Sequence, residues 1–206
     1  MNKKVFQTAA FAAFISAALV ALYYGGVFGN TSDSETTANR EAQDVQILKY
    51  SDYSCPACKQ YVPLEEQLKQ EYGEKIEIEY RYFPLESFPH SQLAAYAVEA
   101  ANQQDKWQEM HDIIFEHQED WSRSPNGGEM IMGYAEQIGL DMEQFREDLD
   151  SEEVANTVQS QKREGIRRTV QATPTYFLNG QKLRQNPQSY EQFKAIVELY
   201  MYRSNG

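Results

Sequence analysis

Apolar residues are unevenly distributed along the chain, and their spacing predicts which segments fold. The run 5–28 contains no charged residue, whereas 30–44 is rich in Thr, Ser, Asn, Asp and Glu. From residue 45 onward, short apolar runs alternate with segments in which apolar residues recur at helical spacing. The pattern therefore predicts an N-terminal apolar helix at 1–29, a flexible linker at 30–44 and one folded domain at 45–203.

Strand-like segments lie at both ends of this domain. Residues 45–50 form a short apolar run, and 76–82 alternates Ile and Tyr with charged residues. The apolar segment 175–178 is followed by an Asn-Gly turn and a further short strand near 182–183. These segments predict a small sheet built from both ends of the domain.

The remaining segments have the spacing of helices, broken by Gly and Pro. Helices are predicted at about 61–72, 89–103, 105–118, 128–138, 141–149, 151–170 and 189–202, with Pro56 where a first helical turn tolerates proline. Strand, helix, strand, a helical block, then two strands and a helix is the order of an α/β fold. The helical block is predicted as an insertion at about 86–165.

The N-terminal apolar run is long enough to cross a membrane. Its 24 residues follow Lys3 and Lys4, and a helix of this length spans ~36 Å. Positive charge on the N-terminal flank predicts that the N-terminus stays cytoplasmic and that the domain is exported. A cleaved signal peptide is the alternative, with Val27 and Gly29 before the cut, but the length of the run favours a retained anchor. The predicted location is the cell membrane, with the domain on the periplasmic or extracellular side.

Charge and cysteine content narrow the classes of function. There are 19 Lys plus Arg and 31 Asp plus Glu, and this formal net charge of −12 argues against nucleic-acid binding. The only two cysteines stand in one run, Cys55-Pro56-Ala57-Cys58. Outside the cytoplasm such a pair can persist as a disulfide.

The position of Cys55 at a predicted helix start favours redox chemistry. Unpaired N–H groups and the helix dipole stabilise a thiolate there, and a stabilised thiolate makes the disulfide a better oxidant. Cys58, one turn inward, is predicted to be the shielded partner that resolves a mixed disulfide.

Two other interpretations of the cysteine pair stay open. The first is half of a zinc site completed by His111 and His117, although six residues on a helix separate two side chains by about 240°. The second is an inert structural disulfide, which gains little chain entropy from so short a loop. No metal site is predicted.

Several motifs together resemble the DsbA family of thioredoxin-fold thiol–disulfide oxidoreductases, over about residues 44–203. They are Cys55-Pro56-Ala57-Cys58, Phe83-Pro84-Leu85, Lys106-Trp107, His111-Asp112 and the run Thr173-Pro174-Thr175-Tyr176-Phe177-Leu178-Asn179-Gly180. The resemblance implies a thioredoxin-like fold with an inserted helical domain. It also implies that Pro174 is a cis-proline beside the disulfide, and that Thr173 offers backbone groups to an extended substrate.

The resemblance implies an extracytoplasmic oxidase that donates disulfides to newly exported, cysteine-containing proteins without a cofactor. A quinone-linked membrane thiol oxidase is the implied partner that restores the disulfide. In the strongest oxidants of the family, the pair between the cysteines resembles Pro-His, whereas here it is Pro56-Ala57. The side chain of Ala57 has no group that could hold a thiolate, so extreme oxidising strength is not expected. A reductase or isomerase is the enzymatic alternative, and a redox-inactive, chaperone-like binder of exported chains is the alternative from another class. No separate dimerisation domain is predicted before Val45, which favours an oxidase over an isomerase.

Overall fold

The computed structural model describes residues 42–203. The predicted membrane helix at 1–29 and most of the predicted linker lie outside the described residues. Within 42–203, no helix has the length and apolar character needed to cross a bilayer.

A four-stranded mixed sheet lies at the centre of the fold, in the order β2-β1-β3-β4. The strands are β1 (Val45–Ser51), β2 (Ile76–Tyr82), β3 (Thr175–Leu178) and β4 (Gln181–Lys182). β1 pairs in parallel with β2 and antiparallel with β3, which itself pairs antiparallel with β4. The central position of β1 explains its short apolar run, because both of its edges and most of its side chains are covered.

Eight α-helices surround the sheet within the described part of the chain. They are α1 (Pro56–Tyr72), α2 (Ser91–Asn102), α3 (Trp107–Glu116), α4 (Gln118–Trp121), α5 (Gly127–Gln137), α6 (Met142–Leu149), α7 (Glu152–Arg167) and α8 (Tyr190–Met201). The predicted α/β order with a helical insertion is confirmed. The predicted helix 105–118 differs in one respect, because the chain turns at His117 and divides it into α3 and α4.

One face of the sheet packs against α1 and α8. The buried apolar residues here are Val45, Ile47, Leu68, Ile76, Tyr176, Leu178, Phe193, Val197 and Met201. Alternate residues of β1 point to this face, as the two-residue period of a strand requires. Lys49 belongs to the same alternating set, so its side chain is buried on this face as well.

The opposite face of the sheet packs against α7, which approaches closely at Gly165. A Cβ atom at this position would lie 2.7 Å from the ring of Phe83 and 2.9 Å from that of Tyr50. Glycine is therefore required for the contact between helix and sheet. The insertion adds a core of its own, in which Trp121 is fully buried, and this core continues to Tyr53, Cys55 and Cys58.

Candidate active site

Cys55 and Cys58 lie at the beginning of α1, where β1 delivers the chain. Cys55 is the N-cap residue, and Pro56 occupies the first turn, where its missing N–H costs no helical hydrogen bond. Both cysteines are free thiols; Cys55 is 7% exposed and Cys58 is fully buried. Both cysteines are thus buried, and Cys58 is the more shielded of the two, as the sequence predicts.

The pKa of Cys55 is lowered from its ordinary value to about 5. The largest cause is a hydrogen bond from the Cys58 side chain, with further contributions from Thr173 and from the backbone N–H groups of Cys58 and Ala57, while burial opposes them. Ala57 therefore supports the thiolate through its backbone. Cys55 is an anion at neutral pH, which is the reactive form of a thiol.

The pKa of Cys58 moves in the opposite direction, well above its ordinary value. Burial is the largest cause, the hydrogen bond to Cys55 adds to it, and the Lys49 cation opposes it. The two sulfurs titrate as a coupled pair with one proton between them. This asymmetry separates an attacked sulfur from a resolving sulfur.

The segment before β3 lies against the Cys55 sulfur. The Thr173–Pro174 peptide bond is cis, as the resemblance implies. The Cys55 sulfur lies 3.4 Å from the Thr173 carbonyl oxygen, to which its protonated form can donate.

Asp52 fixes the loop that leads to Cys55. Its buried carboxylate accepts from the Ser54 and Leu85 backbone N–H groups, both at 2.8 Å, and from the Ser91 hydroxyl at 2.6 and 2.7 Å. Burial raises the pKa of Asp52, these three donors lower it, and the charge of Cys55 raises it. One side chain thus joins the active-site loop to the loop after β2 and to the start of α2.

Gln118 holds the same loop from the other side. Its buried amide nitrogen donates to the carbonyl oxygens of Tyr53 at 2.6 Å and of Cys55 at 3.0 Å. Gln118 is the first residue of α4. The insertion therefore contacts the backbone of the reactive cysteine directly.

A buried ion pair lies behind Cys58. The Lys49 ammonium is 2.9 Å from one carboxylate oxygen of Glu65 and 3.0 Å from the other, and both side chains are fully buried. The hydroxyls of Tyr80 and Tyr176 donate to the same carboxylate, and the ammonium lies 3.5 Å from the Cys58 carbonyl oxygen. These contacts satisfy both charges, which burial alone would make costly.

His111 lies in an aromatic cluster beside this pair. Its Nδ1 shares a hydrogen bond of 2.9 Å with the Tyr53 hydroxyl, and its ring stacks on Trp107 with centroids 4.5 Å apart. Burial lowers the pKa of His111 well below its usual value, and the cations Lys49 and Lys69 lower it further. The imidazole is therefore neutral at physiological pH.

The structure brings the six predicted site residues to one end of the sheet: Cys55, Pro56, Ala57, Cys58, Thr173 and Pro174. Their predicted roles toward a substrate stay predictions. Within 42–203, no three His, Cys, Asp or Glu side chains are grouped so that they could hold a metal ion. His111 is engaged with Tyr53, and His117 lies 3.3 Å from Asp120.

Sequence reasoning missed Lys49, Asp52, Glu65 and Gln118. Two of them carry a signal that could have been used. Lys49 interrupts an apolar strand at a position whose neighbours two residues away face the core, and Asp52 precedes Cys55 by three residues. Glu65 and Gln118 carry no such signal, because they stand in helices rich in polar residues.

The fold and the site together define a thioredoxin-fold protein with a reactive dithiol at a helix start. The chain belongs to the thioredoxin family, whose model Thioredoxin_4, described as thioredoxin, matches residues 33–199.

Solved structures agree with this assignment. BdbD from Bacillus subtilis, in its oxidised form, is 22% identical with a TM-score of 0.65, over 79% of this chain and 92% of that one. Alpha-DsbA1 from Wolbachia pipientis is 16% identical with a TM-score of 0.67, over 77% of this chain and 86% of that one. The predicted resemblance to DsbA-like thiol–disulfide oxidoreductases is confirmed at the level of the fold.

Some curated relatives are much longer proteins that are named antiporters. The protein called Na(+)/H(+) antiporter NhaA 3 from Salinispora tropica is 33% identical over 159 residues, which are 77% of this chain. The match spans 23% of the length of that protein. The similarity therefore concerns a segment of the antiporter-named protein.

Proposed function

We propose that this protein is an extracytoplasmic thiol–disulfide oxidoreductase that donates disulfides to exported proteins. The observation that carries the proposal is the asymmetric dithiol, with Cys55 at a pKa of about 5 and Cys58 fully buried at a pKa well above the ordinary value. A low pKa stabilises the reduced protein as its thiolate, so the disulfide form accepts electrons readily.

The exchange proceeds in two balanced steps. In the oxidised protein, a substrate thiolate attacks the sulfur of Cys55, the Cys55–Cys58 bond breaks, and Cys58 leaves with the electron pair. A second substrate thiolate then attacks the substrate sulfur of the mixed disulfide, and Cys55 leaves as a thiolate. Two electrons pass to the protein, the substrate gains one disulfide, and the sulfurs carry the electrons without a cofactor.

The surroundings of each sulfur suit its role in these two exchange steps. Backbone N–H groups and the Cys58 thiol stabilise Cys55 when it leaves as an anion. The Lys49 cation lowers the cost of charge on Cys58 when that buried sulfur leaves first. Thr173 and Pro174, beside Cys55, are the proposed contacts for an extended substrate backbone.

The strength of this stabilisation supports the proposed direction of exchange. A pKa of about 5 lies between the values of about 7 for thioredoxin, a reductant, and about 3.5 for the strongest oxidants. This position supports an oxidase of moderate strength, in agreement with the absence of a cationic side chain at Ala57.

We further propose that the domain is tethered to the cell membrane by residues 1–29, with 30–44 as a linker. A quinone-linked membrane thiol oxidase would then restore the disulfide. The length and flanking charges of the apolar run support this proposal.

The redox potential of the Cys55–Cys58 couple tests the direction. The segment 42–206, equilibrated in glutathione buffers, is read by alkylation of the free thiols. We expect a potential above about −180 mV, the range of disulfide donors. A potential near or below about −250 mV would overturn the oxidase proposal in favour of a reductase.

A further inference from the structure

A groove lies beside the active site, between α1 and α4. Its volume is about 600 Å³. Its lining residues are Pro56, Lys59, Gln60, Pro63, Gln118, Glu119, Ser122 and Arg123. The exposed lining surface is more apolar than polar, and its charged groups are Lys59, Glu119 and Arg123.

The groove adjoins the reactive thiol through two of its lining residues. Pro56 follows Cys55 directly in the chain, and Gln118 donates to the Cys55 carbonyl oxygen at 3.0 Å. A polypeptide whose cysteine has reached Cys55 therefore has neighbouring residues within reach of this groove.

Two cations and one carboxylate line the groove. Lys59 is already engaged, because it donates to the Glu116 carbonyl oxygen at 3.2 Å and to the Glu119 carboxylate at 3.4 Å. Arg123 is exposed, and no carboxylate of the described residues lies within ion-pair distance of its guanidinium. The groove thus offers one free guanidinium, whose planar fork matches a carboxylate.

The helix α1 contains a proline where it borders the groove. Pro63 lies inside the helix and has no N–H, so the Lys59 carbonyl oxygen lacks its usual helical donor. Both residues line the groove.

We propose that this groove is a substrate subsite that binds an acidic side chain close to the substrate cysteine, with Arg123 as the carboxylate ligand. The inference rests on the proposed function and adds a preference among substrates. It assigns recognition to the groove between α1 and α4, which Thr173 and Pro174 do not line.

Peptide substrates test the subsite. Dicysteine peptides carry one Glu or one Gln at each of three positions on either side of the first cysteine, and they reduce the oxidised full chain. At low salt, we expect Glu to accelerate the reaction about two- to fivefold over Gln at one or two adjacent positions, the range of an exposed ion pair. The preference should disappear at about 1 M salt, where the Debye length is about 3 Å.

Two variants provide the comparison. Arg123→Glu should reverse the preference, so that Gln peptides react faster than Glu peptides at the same position. Arg163→Glu is the matched control, because Arg163 is an exposed arginine on α7 that does not line the groove. This control should retain the preference of the unaltered chain.

A second measurement separates the subsite from the chemistry. In a Cys55→Ser, Cys58→Ser variant, the Arg123 side-chain NMR signal should shift with the Glu peptide and not with the Gln peptide. Equal rates for Glu and Gln at every position, or an unmoved Arg123 signal, would overturn the subsite while exchange itself supports the proposed function. Peptides that do not exchange at all would overturn the proposed function, and the Arg123 signal would still decide whether the groove binds a carboxylate.

Discussion

The side-chain amide nitrogen of Gln118 lies 3.0 Å from the carbonyl oxygen of Cys55, although 63 residues separate the two in the chain. The same nitrogen donates to Tyr53 at 2.6 Å. The insertion therefore positions the backbone around the thiol in addition to packing against it.

Replacing Gln118 by Leu removes the donor to both carbonyl groups. We expect the free energy of unfolding to fall by about 1–3 kcal/mol, the cost of an unsatisfied buried group. We also expect a higher pKa of Cys55, because a looser loop aligns the N–H groups of Ala57 and Cys58 less well with the sulfur. Absorbance of the thiolate near 240 nm against pH measures this shift.

A purely structural role for Gln118 predicts a different result. It would lower the stability of the reduced and oxidised proteins equally and leave the pKa and the redox potential unchanged. Gln144→Leu, at an exposed position on α6, controls for the change in side-chain chemistry.

The pKa of Cys55 predicts how the stability of the reduced protein depends on pH. The folded-state pKa of about 5 lies below the unfolded value of about 8.5, so the unfolded chain binds the proton more tightly. The stabilisation is fully present above about pH 8.5 and is lost progressively as the pH falls to about 5. Urea unfolding of the reduced and oxidised proteins measures it as a difference that grows with pH across this window.

Alkylation provides an independent check on the same group. The rate of reaction of Cys55 with iodoacetamide, corrected for reagent, should reach half of its maximum near pH 5. A midpoint near the ordinary thiol value, about 8.5, would contradict the assignment.

Buried, neutral His111 predicts loss of stability in acid. Its folded-state pKa lies well below the usual value, whereas the unfolded imidazole titrates near about 6.5. As the pH falls below about 6.5, the unfolded state gains the proton first, and the free energy of unfolding falls by at most about 1.4 kcal/mol per pH unit. Urea unfolding of the oxidised protein between pH 8 and 5 removes the thiols from the comparison.

His111→Gln is the matched variant, because an amide can still bond to the Tyr53 hydroxyl but does not titrate. It should lower stability at pH 8, through lost ring packing, and have a flatter dependence between pH 6.5 and 5. Carboxyl groups such as Asp52 titrate in both proteins, so their contributions cancel. Identical slopes for the two proteins would show that His111 does not account for the acid loss.

The buried pair of Lys49 and Glu65 predicts a strongly non-additive result. Lys49→Met leaves a carboxylate buried without its cation and should cost about 3–5 kcal/mol of stability. The double variant Lys49→Met, Glu65→Gln has no buried charge and should recover most of this loss. Denaturant titration of the single and double variants measures the recovery, and a double variant no more stable than Lys49→Met would refute the explanation.

The same double variant separates stability from chemistry. Lys49 opposes the high pKa of Cys58, so this pKa should rise in the double variant even where stability is restored. Slower departure of Cys58 during mixed-disulfide formation is the expected kinetic consequence.

The sequence predicted the strands, the helices and the two cysteines better than the buried residues that position them. Periodicity located β2 and the helices within a few residues, because alternation and helical spacing are local properties. Cys55 and Cys58 were found because the two sulfurs and the helix start are neighbours in the chain.

The buried polar residues around the cysteines make contacts that no local sequence pattern encodes. Lys49 pairs with Glu65 across 16 positions, and Gln118 reaches Cys55 from a separate helical layer. From the sequence alone, a lysine within an apolar strand and a glutamine in a polar helix are expected at the surface. Only the tertiary structure shows that Lys49 and Gln118 are buried.

The direction of β1 has a practical consequence. The strand begins beside the end of α8, where the Gln43 backbone N–H donates to the Met201 carbonyl oxygen at 2.9 Å, and it ends just before Cys55. Its seven residues extend about 20 Å at about 3.3 Å per residue. A surface, label or carrier attached at Ala42 is therefore separated from the thiol by the length of the sheet, and it leaves the reactive end of the domain open to large protein substrates.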